Sequence, residues 1–122
     1  MSKGRASEAK KSEVLQGTLD LMILKTLDAL GPLHGYGIAR RIEQLSEKVL
    51  ELNEGTVYTS LLRLQQQRWI SWNWGVSENN RRAKFYAITR KGRKQLALET
   101  ENWTRISGVI VRVLQLAGRG LP

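Results

Sequence analysis

A chain of 122 residues with 41% hydrophobic content can bury one modest core, which points to a single domain. Twenty Lys and Arg against eleven Asp and Glu leave a net charge of +9, which favours a polyanionic partner: nucleic acid or an anionic membrane surface. The lack of cysteine excludes disulfides and thiolate metal sites, His34 is the sole imidazole, and no apolar run approaches the roughly 20 residues that a bilayer span requires. The start Met1-Ser2-Lys3-Gly4-Arg5 leads into no apolar signal segment. A cytoplasmic, non-enzymatic protein without metal or cofactor is therefore expected, because no nucleophile and base, paired acids or ligand set is spaced for catalysis.

Residues 1–12 are polar, with four basic residues and one acidic residue, and lack any hydrophobic period, so they read as a flexible basic tail. A first helix is predicted from about Glu13 to Leu30, since Leu15, Leu19, Met22, Ile23 and Leu27 recur at helical spacing. Leu21 and Leu24 add a second apolar face, which suggests contact with another subunit. Gly31-Pro32-Leu33-His34-Gly35 then breaks the helix, and His34 reads as a turn or capping residue. The next helix, from about Tyr36 to Ser46, should turn Ile38, Ile42 and Leu45 inward and Arg40 and Arg41 outward, where they either touch phosphate or are simply solvated.

Asn53 is a suitable N-cap for a third helix, with Glu54 in its first turn where a carboxylate suits the helix dipole. At about 100° per residue, Val57, Tyr58, Leu61, Leu62 and Leu64 fall on one side, and Thr56, Thr59, Ser60, Arg63 and Gln67 on the other. Small hydroxyls, amides and a guanidinium suit a major groove, so this helix reads as a recognition helix. After Trp69 the period drops to 2. Ile70, Trp72 and Trp74 alternate with polar residues, Gly75 to Arg82 forms a loop, and Lys84 to Ile88 returns, a two-stranded hairpin or wing. Asn79 and Asn80 stand beside Arg81, Arg82 and Lys84, and the run on to Lys94 holds seven Lys and Arg and no acid, which favours contact with phosphate or a minor groove. Thr89 should cap a last helix from Arg90 to about Gln115, in which Leu96, Trp103, Ile106, Ile110, Val113 and Ala117 follow a heptad seam suited to a second copy of the chain.

The residue pattern thus predicts a mainly α protein with a small β-hairpin: a tail (1–12), a winged helix-turn-helix DNA-binding domain (13–89) and a C-terminal dimerisation helix (90–117). Leu15 to Leu21, His34-Gly35-Tyr36-Gly37-Ile38, Glu54-Gly55-Thr56-Val57-Tyr58, Asn79 to Tyr86 and Ile88 to Arg93 together resemble the ordered signatures of the PadR family of transcription regulators, most closely its short, acidobacterial-type group. The resemblance implies a homodimeric repressor that binds an operator, an inverted repeat in double-stranded DNA, and is released by a small hydrophobic or phenolic effector. Carried over by position, it makes Thr56, Tyr58, Thr59 and Arg63 groove candidates and Arg81, Arg82 and Lys84 wing candidates. Tyr58 has a second reading, as a brace that sends only its hydroxyl to a phosphate. Trp103 likewise has two, contact with the effector or a place in the dimer core. Thr59 stands where family members commonly carry proline. The alternative function is a sequence-tolerant architectural DNA binder with no effector.

Overall fold

The computed structural model describes residues 17–118. The expected tail and the beginning of the first helix, including Glu13 and Leu15, lie outside these residues. Helix α1 occupies 17–30 and stops where Gly31, at φ 82°, donates its N–H to the Leu27 carbonyl at 3.0 Å. Only glycine takes that left-handed geometry without strain. Leu19, Ile23, Leu24 and Leu27 are at most 1% exposed. Leu24, expected at a subunit boundary, is therefore part of the chain's own core, because α1 is covered around much of its circumference by the same domain.

Strand β1 (Leu33–His34) follows immediately and corrects the reading of this segment as a simple turn. Two residues carry no measurable period, so a strand this short leaves no signature in the residue pattern. The strand pairs antiparallel with β3, placing Leu33 opposite Tyr86 and His34 opposite Phe85. The expected hairpin is thus two strands of a three-stranded sheet in the order β1-β3-β2. His34 also caps helix α2 (Gly35–Leu45): its Nδ1 accepts the Gly37 N–H at 3.0 Å, and its ring stacks on Phe85 at 5.2 Å. Ile38, Ala39 and Ile42 are buried, whereas Leu45, expected inward, is 71% exposed. It is the last residue of α2, where the helix projects past the core and borders a surface groove.

Helix α3 (Glu54–Gln66) begins at the expected cap, with Asn53 Oδ1 accepting the Thr56 N–H at 2.7 Å. Strands β2 (Ile70–Val76) and β3 (Arg82–Ile88) follow, joined by a turn in which Asn80 takes φ 61° and the Ser77 N–H donates to the Arg81 carbonyl at 2.8 Å. Asn tolerates this backbone region better than most residues. Helix α4 (Arg90–Leu114) starts at Thr89, whose Oγ1 accepts the Gly92 N–H at 3.0 Å and donates to the Arg68 carbonyl at 2.8 Å. A Cβ at buried Gly92 would collide with the Trp69 carbonyl and approach Ile88 Cγ1 to 2.9 Å, so glycine is what lets α4 leave the sheet so closely. The core unites α1, α2 and α3 with Ile70, Tyr86, Ile88 and Leu96. Leu96, assigned by the heptad to a dimer seam, is 7% exposed and belongs to this core. The first turns of α4 pack on the domain that launches them, and the seam becomes free only beyond them.

Candidate nucleic-acid interface

Packing determines which face of α3 remains available. Val57, Ser60, Leu61 and Leu64 are buried, an i, i+3, i+4, i+7 stripe. Ser60 therefore moves from the expected free face into the interior at 1% exposure, where its Oγ accepts from Arg63 Nη2 at 3.0 Å. Tyr58 and Leu62 move the other way, at 51% and 52% exposed. The angular reason is simple. Taking Val57 as zero, Ser60 lies about 60° away and Tyr58 and Leu62 about 100° and 140°, so position on the wheel outweighed polarity. The outward face presents Tyr58, Thr59, Leu62 and Gln66, with Gln67 exposed at the C-cap and Thr56 half-buried. Thr59 donates its hydroxyl to the Gly55 carbonyl at 2.9 Å and retains lone pairs that can accept.

Arg63, expected as a base reader, is half-buried and turned back toward α1. Its Nη2 and Nε donate to Asp20 Oδ1 at 2.9 Å and Oδ2 at 3.4 Å. Arg40 is also engaged: it pairs with Glu43 at 2.9 Å, donates to the Leu52 carbonyl at 3.3 Å and lies 5.0 Å from the Tyr36 ring centroid. Glu43 in turn accepts the Leu52 N–H at 2.6 Å, so this pair fixes the linker that leads into α3. Arg41 is exposed.

The wing brings together more than cationic charge. Cross-strand register sets Trp74 opposite Lys84 and Val76 opposite Arg82 on one face. Arg82 lies 4.3 Å from the Trp74 centroid and Lys84 4.3 Å from the Trp72 centroid, with the two indoles edge to face at 5.4 Å. These stacks hold the cations in place, since a cation over an indole is stabilised by the ring quadrupole. Arg81, Arg82, Asn79 and Asn80 are exposed at the tip and Lys84 is half-buried. Between wing and α3 runs a cleft of about 390 Å³ bordered by Tyr36, Glu54, Tyr58, Trp74, Lys84 and Tyr86. Both Tyr58 and Tyr86 line it; burial first, and then the influence of the neighbouring Tyr58 hydroxyl, push the Tyr86 phenol up to about 12. The alternating Trp and cation positions were visible in the sequence, but the stacking needed the register; the outward turn of Leu62 and Gln66 was missed.

Helix α2 packed against α3, and a three-stranded sheet ending in a cationic wing beside α3, define a winged helix-turn-helix. The profile of the Transcriptional regulator PadR-like family matches residues 23–98, more than half of the chain. The chain belongs to that family. A transcriptional regulator from Clostridium thermocellum is 29% identical and superposes with a TM-score of 0.74 over 82% of this chain and 96% of its own. A PadR-like transcriptional regulator from Bacillus cereus is 27% identical, with a TM-score of 0.74 over 86% of this chain and 99% of its own. An uncharacterized protein of Lysinibacillus sphaericus is 25% identical over 82% of this chain and 91% of its own length. The PadR-like fold is mainly helical, with its small sheet placed beside the reader helix.

Two further features of this PadR-like chain lie away from the wing. The outer part of α4 leaves Trp103, Ile106, Ile110 and Val113 at 44% to 60% exposure. A groove of about 930 Å³ runs between α1, α2 and α4, lined by Leu21, Met22, Ile42, Leu45, Leu96 and Ala97 among others. Trp103 stands just beyond the α4 residues that line it. Among the described residues no helix is long and apolar enough to cross a membrane, and no group of three or more His, Cys, Asp or Glu could hold a metal ion.

Proposed function

We propose that this PadR-like regulator is a cytoplasmic homodimer that represses transcription by binding an inverted repeat in duplex DNA. The observation that carries the reading is the juxtaposition of the outward face of α3, Tyr58, Thr59, Leu62 and Gln66, with a wing whose cations are exposed or stacked beside it. Thr59 and Gln66 supply groups that hydrogen-bond to base edges, and Leu62 an apolar surface for a thymine methyl. Arg81, Arg82 and Lys84 provide the phosphate contacts that set register. Thr56 of α3, its C-cap Gln67 and the exposed Arg41 of α2 are further candidate contacts.

The exposed stripe of α4 supports dimerisation. Trp103, Ile106, Ile110 and Val113 repeat at gaps of three and four, as a helix seam requires, and they stay open to solvent in the single chain. The groove beside Leu21 then supports release by a small hydrophobic effector, since apolar Leu21, Met22, Ile42, Leu45 and Leu96 line it together with charged Lys25, Asp28, Arg93 and Glu101, and it lies next to the α4 seam.

The test begins by selecting a tight-binding duplex from a random pool with the wild-type protein, followed by comparison with a scrambled duplex. A regulator discriminates by ~10³-fold or more, and the enriched sequence should be an inverted repeat. Binding without discrimination would favour the architectural reading and exclude this one. Sedimentation of the free protein should show two chains.

A further inference from the structure

We infer that Arg63 is a positioning residue, which aims the reader helix by clamping α3 to α1 and does not itself touch DNA. The inference rests on the proposal that α3 reads duplex DNA. Arg63 had every formal qualification of a reader: a guanidinium in the second half of the candidate recognition helix. Three hydrogen bonds from its guanidinium all point inward. Two go to the Asp20 carboxylate and one to the Ser60 hydroxyl, which is otherwise a buried polar group in the core.

Several observations favour a clamp over a reader. The Arg63 and Asp20 side chains are only 33% and 23% exposed, so the pair is sheltered from the bulk-water screening that makes surface ion pairs weak. The contact spans 43 positions of sequence and joins two helices, so it constrains orientation between elements, unlike a pair within one helix. The fork geometry uses both carboxylate oxygens, which fixes the direction of the guanidinium plane as well as its distance. Turning Arg63 outward to a base would leave Ser60 without that donor and Asp20 without its paired charge. Breaking such a half-buried pair carries a penalty that a single groove contact must exceed. Meanwhile the side chains that do face outward, Thr59, Leu62 and Gln66, depend on the roll of α3 about its axis. Asp20 and Arg63 tie that roll to α1.

The experiment compares wild type, Asp20→Asn, Arg63→Gln, Arg63→Lys and the Asp20→Asn/Arg63→Gln double variant. Each binds the selected and the scrambled duplex across a salt series, at a temperature where circular dichroism shows full folding. If the wild type itself fails to discriminate between the duplexes, the DNA-reading proposal fails, and the Arg63 inference falls with it. Given wild-type discrimination, a clamp predicts that Asp20→Asn and Arg63→Gln each lower the selected-to-scrambled ratio by about tenfold, with the double variant no worse than either single one. Arg63→Lys should be impaired as well, because an ammonium cannot reproduce the fork. The salt slope should remain that of wild type. The inference is overturned if Arg63→Gln lowers that slope by about one phosphate contact. It is equally overturned if Asp20→Asn binds the selected duplex as well as or better than wild type while Arg63→Gln loses binding, since a freed reader would behave so. A fall in melting temperature with an unchanged ratio in all variants would also refute it, by reducing the pair to general stability.

Discussion

The guanidinium of Arg82 lies 4.3 Å from the centre of the Trp74 indole, across the strand pair that forms the wing. A long cationic side chain ordinarily gives up rotamer freedom when it docks on a phosphate. Here the indole already restricts it, so less is lost on binding. Arg82→Ala is expected to weaken the selected and scrambled duplexes by a similar factor and to reduce the salt slope by about one. Trp74→Ala should weaken both in the same direction while leaving the formal charge untouched. Equal affinity of wild type and both variants, measured by fluorescence anisotropy over a salt series, would remove the wing from the interface.

The outward face of α3 should behave differently. Gln66→Ala and Leu62→Ala are expected to lose about 1–3 kcal/mol on the selected duplex and little on the scrambled one, because base-edge contacts carry sequence information and phosphate contacts do not. Repeating the random-pool selection with each variant should relax the preference at distinct positions of the half-site. Unchanged selected sequences from both variants would shift recognition elsewhere.

Ile110, 46% exposed near the outer end of α4, reports on assembly. An aspartate there would put an unpaired charge into the proposed seam, a strongly unfavourable burial. Ile110→Asp should sediment as a monomer with an intact circular dichroism spectrum. Its affinity for the selected repeat should drop by ~10²-fold or more, as linkage between two half-site readers is lost. A fully active dimeric Ile110→Asp protein would exclude this seam.

Tyr86 supplies a pH dependence. Its phenol is raised from 10.0 to about 12 in the folded chain, chiefly by burial. The folded state therefore holds the proton more tightly than the unfolded one, so the contribution is complete below about pH 10 and is lost as pH rises through about 12. Denaturant titrations of wild type and Tyr86→Phe should show a shallower alkaline decline for the variant. Parallel declines would mean that Tyr86 does not govern this limb.

Much of the frame could be read from the sequence because its determinants are local. Asn53 and Thr89 mark their helices by short side chains that accept the N–H three residues on, and both caps are present as expected. The change from period 3.6 to 2 after Trp69 marked the wing for the same reason. What escaped depends on tertiary neighbours. Strand β1 exists only because Tyr86 and Phe85 lie alongside it. Ser60 is buried because α3 is covered over a wide arc, and Arg63 turns inward because Asp20, 43 positions earlier, is there to meet it. Leu24 and Leu96 looked spare on a helical wheel, yet a core built by four helices and a sheet uses both.

The most direct test of the account is the ratio of wild-type affinities for a selected and a scrambled duplex at physiological salt, with stoichiometry measured in the same titration. A reader helix and wing presented twice by a dimer predict a ratio of ~10³ or more and two chains per inverted repeat. A ratio near one, or one chain saturating the selected duplex, would contradict it.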